Sequence, residues 1–131
     1  MTEIYALAEK IYKDAVILKG QKSTSLTWKL NRERWLATIA KMRKTLFEMG
    51  EMLDYSYSED HFALIDEMNG ILCACERCLR EKTYRYKARI TNYMQAFHNL
   101  PRAFFAPENN MHITVAEARR YAAFWLSHGT R

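Results

Sequence analysis

The chain reads as all-α, a bundle of four to five helices built on a long central antiparallel helical hairpin, and three observations predict it. Apolar residues recur at three- and four-residue steps through most of the 131 positions. Only two prolines and four glycines are present, which leaves little room for the turns of a sheet. The third is a heptad-like seam, Trp28, Trp35, Ile39, Met42, Leu46, Met49 and Leu53, stepping by seven, four, three, four, three and four. With 49% hydrophobic and 27% charged residues the composition is globular, and the length suits one helical domain over residues 1–131.

The first helix is expected from Thr2 to Lys19, where Ile4, Leu7, Ala8, Ile11, Ala15 and Leu18 form one apolar stripe and Gly20 supplies a stop. After the polar stretch GQKSTS, the heptad seam defines a long second helix. The segment DYSYSED interrupts the pattern, and Ser58 followed by Glu59 and Asp60 offers an N-cap with acidic residues where the helix dipole favours them. The third helix is expected to turn Phe62, Ile65, Met68, Leu72, Cys75 and Leu79 inward.

No proline occurs between there and Pro101, yet forty continuous helical residues would run about 60 Å, too long for a compact domain of this size. A break is therefore expected near Glu81 to Thr83. A fourth helix then carries Ile90, Tyr93, Met94 and Phe97 inward and ends before HNLP, because the residue preceding a proline disfavours helical geometry. Residues 99–113, with both prolines and the adjacent Phe104 and Phe105, read as one long irregular segment that is docked or functional. Thr114 and Glu117 form a capping box opening a last helix with Val115, Ala118, Ala122, Trp125 and Leu126 toward the core.

Motifs that would define a reaction are missing. The four glycines are isolated, so no phosphate-cradling loop is formed, and neither H-E-x-x-H nor G-x-S-x-G occurs. No Glu stands three residues before a His, as a di-iron bundle requires, so His61, His98, His112 and His128 read as surface or capping residues. Cys73, Cys75 and Cys78 crowd into six residues, but at 100° per residue only Cys75 and Cys78 share a helical face, and they read as core thiols rather than zinc ligands. The expectation is no enzyme, no metal and no cofactor.

An odd number of thiols argues against a disulfide framework and for a reducing, cytoplasmic setting. The opening residues MTEIYALAEK carry Glu3 and Glu9 where a targeting leader carries basic residues, and no apolar run is long enough to cross a bilayer. No membrane partner is expected.

Charge order is the informative signal. Residues 28–44 carry six cations against Glu33, a surplus of +5; residues 45–68 carry seven carboxylates and no cation; residues 76–89 return to +4. If the second and third helices form a hairpin about residue 56, Lys29, Arg32 and Arg34 meet Arg80, Lys82, Arg85, Lys87 and Arg89 at one end. Glu48, Glu51, Asp54, Glu59 and Asp60 gather at the other. The third helix is acidic first and basic last, as its dipole favours, but the second is the reverse, each mismatch costing about 0.3–1 kcal/mol when exposed. Helix stability does not explain that order.

A cationic end bearing Trp28, Tyr84, Tyr86 and Phe104 suits nucleic acid, with cations neutralising phosphates and aromatic faces stacking on unpaired bases. Tyr86 lies on the face of Tyr93 and Trp28 lies in the seam, so part of this aromatic set is claimed by the core. The expected function is accordingly a non-enzymatic accessory or regulatory factor that contacts nucleic acid. The alternative is a protein adaptor whose basic end meets an acidic partner, or a homo-oligomer in which the acidic tip of one copy meets the basic end of the next.

Overall fold

The computed structural model describes the backbone of residues 2–20, 28–81 and 86–129, and the side chains of residues 4–20, 30–81 and 89–127. Among them are five α-helices, α1 (Thr2–Gly20), α2 (Trp28–Met52), α3 (Glu59–Arg80), α4 (Tyr86–Phe97) and α5 (Val115–Gly129), with a 3-10 turn at Leu100–Phe104 and no strand. In sequence order each of α1 to α4 packs on the next, and α4 returns to α1, which closes a four-helix bundle. The fifth helix lies mainly on α4 and the 3-10 turn.

The hairpin of α2 and α3 makes the most extensive helix contact together with α4 and α5. Along α2 the seam residues Trp35, Ile39, Met42, Leu46 and Met49 are buried, as their spacing predicts, and Leu53 packs on the core's edge. Trp28 begins the helix, but its side chain lies outside the described set. The connection is a short turn in which Asp54 Oδ1 accepts from the Ser56 amide at 2.8 Å and from its hydroxyl at 2.6 Å, while the Tyr57 amide donates to the Asp54 carbonyl. Ser58 then caps α3 through the His61 amide. A six-residue connection of this kind forces the two helices antiparallel.

The inward face of α3 matches the sequence expectation at Met68, Leu72, Cys75 and Leu79 and departs from it at Phe62 in the first turn. Leu64, Met68, Ile71, Leu72, Cys75, Cys78 and Leu79 are buried, while Phe62 is 45% exposed and Ile65 sits at the margin. Phe62 lies two residues, or about 200°, from Leu64 and so faces away from the core. A three-four stepping pattern fits two overlapping stripes here, and packing against α2 and α4 selects the one through Leu64 and Ile71.

The helix ends where its length requires. Glu81 leaves helical geometry at φ −70° and ψ 129°, and α4 starts at Tyr86; Lys82 and Thr83, the rest of the expected break, lie outside the described residues. Ile90, Met94, Ala96 and Phe97 of α4 are buried and Tyr93 partly so.

The segment 99–113 departs from the irregular loop expected of it. Leu100 begins a 3-10 turn through Phe104 with Pro101 in its first turn, and the remainder is held by Arg102, whose Nε donates to the Met111 carbonyl at 2.7 Å and Nη1 to Asn99 Oδ1 at 2.9 Å. His112 Nδ1 donates to the Phe105 carbonyl at 2.9 Å, and Asn109 reaches Glu9 of α1. Both phenylalanines are thereby docked, Phe104 at 1% exposure and Phe105 edge-on against Tyr12 of α1. The capping box is formed as read, with the Glu117 amide donating to Thr114 Oγ1 at 3.1 Å and the Thr114 amide to Glu117 Oε1 at 3.2 Å.

These positions give a direct contrast. Phe104→Ala should cost about 3–5 kcal/mol, the transfer and cavity loss of a fully buried ring, whereas Phe62→Ala should stay within about 0.5 kcal/mol. Urea unfolding of the two variants checks both; equal losses would contradict the outward placement of Phe62.

Candidate nucleic-acid interface

The cationic end is assembled by the hairpin itself. Arg32 Nε, in the second turn of α2, donates to the Leu79 carbonyl in the last turn of α3, and Nη1 pairs with Glu33 at 3.0 Å. Leu79 belongs to the final turn, whose carbonyls have no partner within their own helix. Arg32, with a side chain only 19% exposed, therefore serves as a cap supplied by the neighbouring helix and joins the two basic segments.

Around that contact, carboxylates that sequence reading left uncounted as partners are threaded among the arginines. Glu76 accepts from Arg43 at 2.8 Å and from Arg80 at 3.0 Å, and these hydrogen bonds, Arg80 first, hold its carboxyl below the usual glutamate range. Arg89 stands 3.9 Å from Glu81. Arg34 is exposed and makes no ion pair among the described residues. Arg43 lies in the middle of α2, so its bond to Glu76 follows from the antiparallel alignment and not from any local spacing.

Of the other expected residues, Lys82, Tyr84 and Arg85 lie outside the described residues, and the side chains of Lys29, Tyr86 and Lys87 lie outside the described side chains. Phe104 does not belong to this end. It is buried with its ring 5.5 Å from that of His61 at the start of α3, so it cannot stack on a base.

At the opposite end, Glu48, Glu51, Asp54, Glu59 and Asp60 surround the turn between α2 and α3. Asp54 is committed to Ser56, whose side-chain and backbone hydrogen bonds lower its pKa. Arg119 of α5 bridges Glu67 at 3.0 Å and Asp60 at 3.5 Å, which ties the acidic end to the fifth helix. No sequence spacing indicates that bridge, because its partners stand more than fifty positions apart. Glu48, Glu51 and Glu59 make no ion pair among the described residues.

Chemistry-bearing side chains elsewhere are used by the fold. Cys75 and Cys78 are buried together, Cys73 sits half-buried, and all three are free thiols. Burial pushes the Cys75 thiol well above its ordinary range, with Cys78 adding to the shift, and such a thiol stays protonated and unreactive. No group of three or more His, Cys, Asp and Glu able to hold a metal ion occurs among the described residues, and no helix among them is long and apolar enough to cross a membrane. No family model, curated protein or solved structure matches the chain.

The histidines add a pH dependence. His61 pairs Nδ1 with Ser58 Oγ at 2.8 Å, and His98 Nδ1 donates to the Gln95 carbonyl at 2.8 Å. His128 falls outside the described side chains. Burial lowers the pKa of both His61 and His98 from the ordinary 6.5; nearby Asp60 and the Ala103 carbonyl oppose it at His61, and the Gln95 carbonyl at His98. Because the folded values lie below the unfolded ones, the unfolded chain takes protons first as pH falls. The stability these residues contribute is full above pH 6.5 and is lost as pH falls through the folded values. The urea midpoint should therefore be lower at pH 5 than at pH 7.5, and the difference should shrink in His61→Gln/His98→Gln. A midpoint that rises on acidification would contradict the assignment.

Proposed function

We propose that this is a non-enzymatic binding protein whose cationic end contacts nucleic acid as an accessory or regulatory factor with little base specificity. One observation carries the reading: Arg32 of α2 rests on the final turn of α3, so residues 28–34 and 76–81 share one end of the hairpin. In sequence, residues 28–34 and 76–89 hold nine Lys and Arg against Glu33, Glu76 and Glu81, a surplus of +6.

The geometry divides these cations by availability. Arg32 is held between a carbonyl and Glu33 and acts as a positioning residue. Arg80 and Arg89 have exposed side chains, 65% and 54%, and exposed ion pairs contribute only about 0–1 kcal/mol, so phosphate can replace Glu76 or Glu81 at little cost. Arg34 needs no such exchange. With Lys29, Lys82, Arg85 and Lys87 they supply the charge for counterion release, while Tyr84 supplies the aromatic face.

A second reading is a protein adaptor, favoured by the fact that arginines at this end already take carboxylates as partners. An acidic protein segment can replace Glu76 and Glu81 as a phosphate strand does.

A mobility or filter assay against single- and double-stranded DNA and RNA at two salt concentrations, with an acidic peptide as a parallel probe, separates the readings. Nucleic-acid affinity should fall with salt, and Arg85→Glu/Lys87→Glu should weaken it across all sequences and flatten the salt slope. Binding to the acidic peptide alone would favour the adaptor, and unchanged affinity in the double variant would contradict the site.

A further inference from the structure

We infer that the outward face of α2 pairs with the same face of a second copy of this chain, in an antiparallel, two-fold dimer. The face meets no other element among the described residues and carries an exposed strip, Ala37, Ala40, Lys44, Phe47 and Glu51, at helical steps of three and four. Phe47 is 70% exposed in its middle, and Tyr55, just past the helix, is fully exposed. This inference goes beyond nucleic-acid contact and stands independently of it.

The occupant follows from charge order. Lys41, Arg43 and Lys44 precede Phe47 and Glu48, Glu51 and Asp54 follow it, so the strip is basic on one side of the ring and acidic on the other. Such a strip is complementary to itself when turned end for end, which is the operation of a two-fold axis. A parallel copy would set like charges against like.

With the axis passing between Phe47 and Glu48, each Lys44 stands opposite the second copy's Glu51, twice in the dimer. The two Phe47 rings meet beside the axis, and each Tyr55 reaches toward the second copy's Ala40, whose small side chain leaves room for it. The helical part of the overlap, residues 40–52, runs about 20 Å, and Tyr55 lies in the turn beyond it. Two flanking groups are already engaged, Lys41 with Asp14 of α1 at 3.9 Å and Arg43 with Glu76 of α3, and Glu48 is part-buried off the strip, so Lys44 and Glu51 are the strip's own exposed charges.

Antiparallel pairing also suits the dipole at the acidic end of α2. In the overlap Lys44 of each copy lies against the acidic, negative end of its neighbour's α2, a placement favourable to both its charge and the neighbour's dipole, while Lys29, Arg32 and Arg34 lie beyond the contact. The closed contact differs from a tip-to-end arrangement, which would continue into rings or filaments.

Sedimentation equilibrium of the full chain tests this, with circular dichroism confirming that each surface variant keeps its helicity. The wild-type protein should approach twice its 15.5 kDa mass as concentration rises. Lys44→Glu alone and Glu51→Lys alone should each weaken association by about tenfold or more, since each places two like-charge contacts in the dimer. Lys44→Glu/Glu51→Lys should restore it, and Phe47→Ala should weaken it whatever the salt. A monomer throughout, a mass growing beyond the dimer, or single variants that the double variant does not rescue would each overturn the pairing.

Discussion

Everything distinctive about this molecule depends on the antiparallel packing of α2 against α3. The seam from Trp35 to Met49 buries against the stripe from Leu64 to Leu79, and each fully buried Leu, Ile or Met side chain contributes about 1.5–3 kcal/mol relative to exposure. That apolar contact is what holds like-charged segments at one end. The repulsion they generate is softened by Glu33, Glu76 and Glu81, and by the Arg32 cap on the last turn of α3. Packing thus sets the position of the charges, and local ion pairs make that position tolerable.

Much of the fold was legible because it rests on local rules. Ser58, the Thr114–Glu117 box, the seam of α2 and the end of α4 before Leu100–Pro101 all appear where the residues predict them. The errors fall where long-range contact decides. Phe62 lies on the outer face although Met68, Leu72, Cys75 and Leu79 of the same expected stripe are buried, because at the start of α3 it is Leu64 that packs into the core. Phe104 is removed from any surface because Arg102, Asn99 and His112 tie a proline-containing segment into a 3-10 turn and docked loop, through bonds that run up to nine positions.

The candidate site was legible as a charge count and illegible as a geometry. Runs of Lys and Arg in 28–34 and 80–89 announce a basic end once the hairpin is assumed. That Arg32 is a structural cap while Arg34 is free to meet solvent depends on which face of α2 meets α3. The bridge from Arg119 to Asp60 and Glu67 likewise needs α5 in place. The result is a bundle with a basic end whose exposed arginines Arg80 and Arg89 pair with Glu76 and Glu81, and an acidic end partly tied to the fifth helix.

The central claim, that the hairpin makes one end of the bundle the binding end, is tested most directly by mapping backbone amide shifts during titration with a short single-stranded oligonucleotide. The account predicts that perturbations concentrate in residues 28–34 and 76–89, diminish with added salt, and leave the turn at 51–60 unmoved. Shifts centred on that acidic turn, or a spectrum unchanged at saturating oligonucleotide, would contradict it.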